Sequence, residues 1–195
     1  MRTYMYDIEK FKEKLKSEVK ESRYEHSLSV MNFSVELAKY YGVDEEKARV
    51  AGLLHDCAKY KDTDKILQKT KEFDIIISGD LSHTIKVLHA LLGYYIARDE
   101  YGIKDEEILL AIKNHALGRE NMSDLEKIVF YADFAEPLRT YAMAEKLREF
   151  KYEGLSKAAY EAVNYNLCYL LEEGLYVHPQ SLKTRNSLLL ELKGE

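Results

Sequence analysis

Six side chains of this sequence are of the types that bind metal ions, and each lies beside or within an apolar helical run. They are His26, His55, Asp56, His89, His115 and Asp133. Imidazole nitrogens and carboxylate oxygens are ligands of divalent Fe, Mn, Co, Ni and Zn. A mixed set of more than four candidates favours an open or two-metal site over a closed structural zinc site. The chemistry that such a site performs most readily is hydrolysis by metal-activated water.

Asp133 supports this interpretation because it stands among apolar residues, in the run IVFYADF. A buried carboxylate is rarely kept without a metal ion or a cationic partner. A single histidine on an apolar helix is more often a hydrogen-bonded core or surface residue, and we interpret His83 and His178 in this way. Four of the six histidines and two aspartates in one ordered set favour a metal centre over six separate coincidences.

Helical periodicity runs through almost the whole chain, so we predict an all-α protein in which helices position these residues. The predicted helices span 7–20, 22–41, 45–57, 84–100, 105–114, 142–150, 155–173 and 179–192, with a short exposed one within 59–71. One further helix, which carries Asp133, starts at a capping box formed by Ser123 and Glu126. The run Ile75-Ile76-Ile77 is strand-like but has no partner strand, so we predict a packed loop there.

Composition limits the classes of function that remain. A net charge of −5 without a basic face argues against a nucleic-acid-binding surface and favours a small substrate. Residues 1–20 lack the apolar core of a signal peptide, and no stretch has the length of a membrane span, so a cytoplasmic protein is expected. The two cysteines are predicted to be buried, reduced thiols. The sixteen tyrosines are predicted to pack in the core or at its edge, and none is assigned to a site.

Several stretches with these residues in this order resemble the HD-domain metal-dependent phosphohydrolases, and more narrowly the YqeK family. The resemblance is carried by RYEH at 23–26, GLLHDCAK at 52–59, NHALGR at 114–119, LEKI at 125–128, YADFAEPLR at 131–139 and RN at 185–186. It implies a single HD domain over 1–195, a helical bundle with a metal-binding core at about 18–140 and supporting helices at 141–195. It also implies symmetrical hydrolysis of dinucleoside tetraphosphates, with diadenosine tetraphosphate giving two ADP.

The resemblance assigns roles to individual residues. It implies that His26, His55, Asp56 and Asp133 hold a main metal ion, and that Asp56 bridges to a second ion at His89 and His115. With one ion only, His89 and His115 would instead contact phosphate or donate a proton. The residues expected to act directly in catalysis are His55, Asp56, His89 and His115. The preferred metal is iron, with Mn, Co, Ni, Zn or Mg as alternatives.

Cationic residues near these ligands are candidate phosphate contacts, because their spacing places them on the same faces. The expected substrate-binding set is Arg23, Lys59, Arg119, Glu136, Arg139 and Asn186. Arg139 could pair with Glu136 instead of phosphate, and Asn186, in the RN motif, could serve helix packing.

Two other functions stay open at this level. The first is a nucleotidase or triphosphohydrolase acting on mononucleotides, since the metal chemistry is identical. The second is a non-catalytic nucleotide sensor, which is disfavoured because all six ligands are present. A homodimer is compatible with the sequence.

Overall fold

The computed structural model describes residues 6–75 and 81–194, which are all-helical as predicted. The described residues form ten α-helices: α1 Ile8–Glu18, α2 Glu21–Tyr41, α3 Glu45–Leu54, α4 Thr63–Glu72, α5 Leu81–Glu100, α6 Glu106–Asn114, α7 Asp124–Ala135, α8 Ala142–Glu149, α9 Leu155–Glu172 and α10 Pro179–Lys193. A short 3-10 helix, Phe150–Tyr152, follows α8. Within the described ranges the β structure is one isolated bridge between Val19 and Tyr60. None of these helices is long and apolar enough to cross a membrane.

The helix boundaries agree with the sequence signals where a capping side chain is present. Asp44, Asp105 and Ser123 each accept a hydrogen bond from a backbone N–H in the first turn of the helix they precede. The capping box of Ser123 and Glu126 is complete, as predicted. Without such a signal the boundaries move: α3 ends at Leu54 and α5 begins at Leu81, each three residues earlier than expected. Ile76, Ile77 and the side chain of His83 lie outside the described structure.

Helices α2 and α3 approach each other closely because Gly52 has no side chain. A Cβ atom at Gly52 would lie 2.9 Å from the Cα of Met31 on α2. The carbonyl of Gly52 also accepts a hydrogen bond from Nδ1 of His55 at 2.7 Å. This contact therefore sets the distance between α2, which carries His26, and the end of α3, which carries His55.

The C-terminal helix α10 is fixed to the turn that follows α6. Gly118 ends this turn with a positive φ of 66°, and its N–H donates to the carbonyl of Asn114 at 2.7 Å. The Thr184 hydroxyl on α10 donates to the carbonyl of Leu117 at 2.8 Å. A side chain at Gly118 would collide with Thr184, because a Cβ atom there would overlap the Cγ2 methyl of that residue. Helix α10 therefore holds the turn after His115 in place.

The two cysteines differ from each other, and the prediction that both are buried was wrong for one. Cys57 is buried, with its thiol 3.7 Å from the carbonyl of Gly93, whereas Cys168 is exposed. Cys168 follows the buried Leu167 on α9, and one residue step of about 100° turns its side chain from the core to the surface.

Candidate metal centre and adjoining cavities

The structure brings all six candidate ligands to one place between α2, α3, α5, α6 and α7. Three triads of them have their ligand atoms within 4.8 Å of one another. These are His26 with His55 and Asp56, His55 with His115 and Asp133, and Asp56 with His89 and His115. Five of the six are buried, and Asp133 is partly buried.

Four ligand atoms form a first group. Nε2 of His26 lies 2.9 Å from Oδ1 of Asp133 and 3.2 Å from Nε2 of His55. Oδ2 of Asp56 lies 3.3 Å from Nε2 of His55 and 3.9 Å from Nε2 of His26. Separations of about 3 to 4 Å are those expected between neighbouring ligands that share an ion at about 2 Å.

The second group uses the other oxygen of the same carboxylate. Oδ1 of Asp56 lies 3.4 Å from Nε2 of His89 and 3.4 Å from Nε2 of His115. The two imidazole nitrogens are 3.1 Å apart. Asp56 therefore faces one set of ligands with each of its oxygens, and the two groups meet at its side chain.

The ring orientation of His55 and His115 follows from their places at helix ends. Each occupies the residue after the last residue of its helix, and its Nδ1 lies 2.7 Å from a carbonyl three residues earlier, of Gly52 or Ile112. Carbonyls at a helix end lack partners within the helix, and they can only accept. Nδ1 is therefore the donor, so in the neutral ring Nε2 presents a lone pair to the cluster. Burial lowers the pKa of His55, which favours the neutral ring.

His26 has the opposite tendency because it has a carboxylate on each side. Burial alone would lower its pKa, but hydrogen bonds with Asp133 and Glu136 raise the pKa above its ordinary value. The position between His26, His55 and Asp133 thus favours positive charge, supplied either by a proton on Nε2 or by a metal ion. Metal ions compete with protons for such ligands.

The environment of the cluster favours the ionised form of both aspartates. Burial opposes ionisation of Asp56 and Asp133, yet neighbouring histidines hold the pKa of both well below the usual range. Oδ1 of Asp56 is buried and accepts no hydrogen bond from the described residues. Lys59 Nζ lies 3.0 Å away but in an orientation that forms an ion pair without a hydrogen bond. Converging lone pairs and an orphaned carboxylate oxygen fit one or two divalent ions.

Glu136 lies behind His26, which is not the position of a substrate contact. It is buried, it accepts from Nδ1 of His26 at 3.0 Å, and its other oxygen accepts from the backbone N–H of Leu138 at 2.6 Å. A carboxylate behind a ligating histidine fixes the orientation and tautomer of the ring. No local sequence pattern indicates this contact, because His26 and Glu136 are 110 residues apart.

We expect Glu136→Gln to weaken metal binding by about 10- to 100-fold, because the amide keeps the shape but lacks the charge that makes the imidazole more basic. Titration against a competing chelator measures this change directly. Glu145→Gln, at an exposed position on α8, is the matched control and should bind metal like the parent. Unchanged metal affinity in the Glu136 variant would mean that this carboxylate does not support His26.

Three of the expected phosphate contacts lie at the cluster and are partly exposed. Arg23 Nη1 lies 2.8 Å from Oδ2 of Asp56, and Lys59 lies on the other side of that carboxylate. Arg139 donates to Oδ1 of Asp133 at 2.7 Å and to the Asp133 carbonyl at 2.8 Å. The three cations therefore pair with the two ligand carboxylates and keep part of their side chains exposed.

Arg119 and Asn186 are not brought to the cluster by any contact among the described residues. Arg119 donates twice to buried Glu126, at 2.6 Å from both Nε and Nη2. Glu126 also accepts from the side chain of Asn114, so this network fixes the turn that carries His115. Asn186 is exposed on α10 and accepts from Arg185, whose guanidinium also donates to Asn164 and Tyr160 on α9. The contacts of Arg185 join α10 to α9, whereas the role of Asn186 stays a prediction of the sequence.

Two cavities lie near the cluster, and apart from Asp133 and Arg139 their lining residues were not predicted from sequence as site residues. The tyrosine cavity, of about 340 Å³, is lined by Asp133, Arg139, Tyr141, Tyr165, Asn166 and Tyr169. The α10 cavity, of about 300 Å³, has Ala116, Leu117, Asn166, Leu170, Tyr176 and His178 among its lining residues. Tyr141, Tyr165 and Tyr169 were expected only to pack, and His178 was set aside as a surface histidine. Their periodicity resembled that of core residues, and sequence alone does not distinguish a cavity wall from a core.

Comparisons with known proteins agree with this geometry. The HD-domain family profile matches residues 23–138. A symmetrical bis(5'-nucleosyl)-tetraphosphatase of Halalkalibacterium halodurans is 40% identical over 183 residues, which cover 92% of this chain and 95% of that protein. Its namesake from Bacillus subtilis is 32% identical over 175 residues, covering 90% and 94%.

A solved structure from Clostridium acetobutylicum has a TM-score of 0.86 and 36% identity, covering 96% of this chain and 99% of that one. It is described as a predicted HD superfamily hydrolase involved in NAD metabolism. The profile match spans every residue of the metal cluster, and the relatives span nearly the whole chain. This chain therefore belongs to the HD-domain family.

Proposed function

We propose that this protein is a metal-dependent hydrolase that cleaves diadenosine tetraphosphate symmetrically into two ADP. The observation that carries the proposal is the similarity to symmetrical bis(5'-nucleosyl)-tetraphosphatases over at least 90% of this chain and of each relative. The cluster of buried histidines and aspartates supports it, because hydrolysis of a phosphoric anhydride needs charge neutralisation at the transferred group.

In this proposal, His26, His55, Asp56 and Asp133 hold one ion, and Asp56, His89 and His115 hold a second. Bound ions at such a site supply Lewis-acid stabilisation of phosphoryl oxygens and lower the pKa of coordinated water. The orientation of His55 and His115 by helix-end carbonyls fixes which nitrogen faces the cluster. If one ion binds, His89 and His115 instead contact the phosphates, and metal analysis of the purified protein distinguishes the two arrangements.

Arg23, Lys59 and Arg139 are proposed to bind the oxygens of the tetraphosphate. Each now pairs with a ligand carboxylate and remains partly exposed, so a phosphate oxygen can approach without unfolding of the site. Arginine binds phosphate oxygens through two parallel N–H groups, whereas lysine acts as a point charge. Arg119 is left out of this set because Glu126 already holds its guanidinium. Asn186 is left out because its contact is with Arg185, which is held by Asn164 on α9.

The metal is proposed to be iron, supported by the mixed histidine and carboxylate ligands, which also accept Mn, Co, Ni or Zn. The homodimer, the cytoplasmic location and the division of the chain near residue 140 stay predictions of the sequence.

Incubation of the protein with diadenosine tetraphosphate, with added Fe, Mn, Co or Mg or with chelator, tests the proposal. We expect ADP as the sole product by anion exchange, and loss of turnover with chelator. AMP and ATP together would mean attack at a different phosphate. Hydrolysis of mononucleotides without hydrolysis of diadenosine tetraphosphate would favour the nucleotidase alternative, and no turnover at all would favour a sensor.

A further inference from the structure

The two cavities share one lining residue, and each has a lining residue that is a ligand of the metal cluster or follows one in sequence. The tyrosine cavity begins at Asp133, a ligand of the first group. The α10 cavity begins at Ala116, directly after His115 of the second group. Asn166 on α9 lines both. Through Asn166 the two cavities form a cleft with two compartments, one lined by a ligand of the first group and the other by the residue that follows a ligand of the second group.

The tyrosine cavity has the surface that a nucleobase requires. The rings of Tyr141 and Tyr165 are stacked, with an interplanar angle of 7° and centroids 5.6 Å apart. Tyr169, also in the lining, is exposed. Nucleobases stack on such aromatic faces. Arg139 lines the same cavity and contacts Asp133, so a base there would lie beside a cation suited to its phosphates.

The α10 cavity offers an apolar wall and an oriented hydrogen-bond donor. Leu170, Leu175 and Tyr176 line it, and the last two are exposed large side chains. His178 precedes α10, and its Nδ1 accepts the backbone N–H of Gln180 at 3.1 Å. In the neutral ring the proton is consequently on Nε2, which is left as a donor. Apolar surface with a few placed polar groups is typical of small-molecule sites.

Asn166 is suited to the boundary between the compartments. Its side-chain amide carries two donor hydrogens and an acceptor, and the residue lines both cavities. It can therefore contact the sugar or base on either side. The two volumes, about 340 and 300 Å³, are also nearly equal, as two identical ligands would require.

We infer that the two cavities are separate nucleoside subsites, which hold the two nucleosides of one dinucleoside tetraphosphate while its phosphates lie at the metal cluster. This inference rests on the proposed function and adds the subsite residues to it. Occupation of both compartments places the middle of a symmetrical substrate at the ions. A substrate with a single nucleoside leaves one compartment empty, so the cleft selects dinucleoside polyphosphates.

Substitutions in the α10 cavity test the second subsite, which is lined by residues outside the metal cluster. His178→Asn removes the ring but keeps a side-chain oxygen that caps α10. Leu170→Ala removes apolar wall. We expect each variant to lower kcat/KM for diadenosine tetraphosphate by about tenfold. For adenosine 5'-tetraphosphate, which has a single nucleoside, kcat/KM should fall by less than about twofold. Leu171→Ala, at the neighbouring position with 70% exposure and outside both cavity linings, should match the parent with both substrates.

Equilibrium dialysis with ADP provides a readout that needs no turnover. The metal-loaded parent should bind two ADP per chain, and the double variant His178→Asn with Leu170→Ala should bind one. One ADP per chain in the parent would overturn the inference, and so would equal losses on both substrates in the α10-cavity variants. If two ADP bind but diadenosine tetraphosphate is not cleaved, the proposed function fails and the two subsites stand. If diadenosine tetraphosphate is cleaved to ADP but the parent binds only one ADP, the proposed function stands and the inference of two subsites fails.

Discussion

Asp56→Asn is expected to lower the rate of diadenosine tetraphosphate hydrolysis by about 10³-fold or more. Asp56 is fully buried, and its two oxygens face the two groups of ligands. Asparagine has the same shape, but it supplies one neutral oxygen where two charged ones are required. Loss of several kcal/mol of charge stabilisation corresponds to a rate loss of this order. Steady-state kinetics and metal analysis of the same preparations should show reduced turnover together with reduced metal content.

The variant should still fold, because Arg23 and Lys59, which pair with Asp56, are partly exposed and can be solvated when the charge is lost. Circular dichroism and thermal unfolding check this. Asp99→Asn removes an exposed carboxylate that pairs with its neighbour Arg98, and it serves as the matched control with parental activity. A folded Asp56→Asn protein with the parental rate would refute the proposed mechanism.

Gly52→Ala is expected to lower the free energy of unfolding by about 2 kcal/mol, as overpacking of a close helix contact does. A Cβ atom there would lie 2.9 Å from backbone Cα of Met31, and backbone cannot move aside as a flexible side chain can. Helices α2 and α3 must therefore separate. Because they carry His26 and His55, whose Nε2 atoms are 3.2 Å apart, metal affinity should fall as well.

Gly93→Ala on α5 is the matched control for this prediction. Its Cβ would lie 3.2 Å from the Cγ2 methyl of Ile112, a contact that a shift of a few tenths of an ångström relieves, and alanine is favoured over glycine in a helix by about 0.5–1 kcal/mol. Urea unfolding should therefore show little loss or a small gain for this variant. If both variants unfold at the same urea concentration, the contact between Gly52 and Met31 does not limit the approach of α2 and α3.

The sequence by itself determined the helical fold, the caps at Asp44, Asp105 and Ser123, and the identity of the residues that meet in the cluster. These features depend on local periodicity, on side chains that bond to nearby backbone, and on an ordered set of ligand types. Periodicity and capping act within a few residues, and the ligand types stand in a fixed order along the chain, so all three can be read without knowledge of the tertiary contacts.

Only the tertiary structure decided the partners of those residues. Glu136 contacts His26 from 110 residues away, and Arg119 is held by Glu126 instead of lying free beside His115. Tyr165 and His178 line cavities, although their spacing is that of ordinary packing and capping residues. Periodicity states which face of a helix is apolar, but not what that face meets. That depends on how distant helices pack, and therefore on contacts that no local pattern encodes.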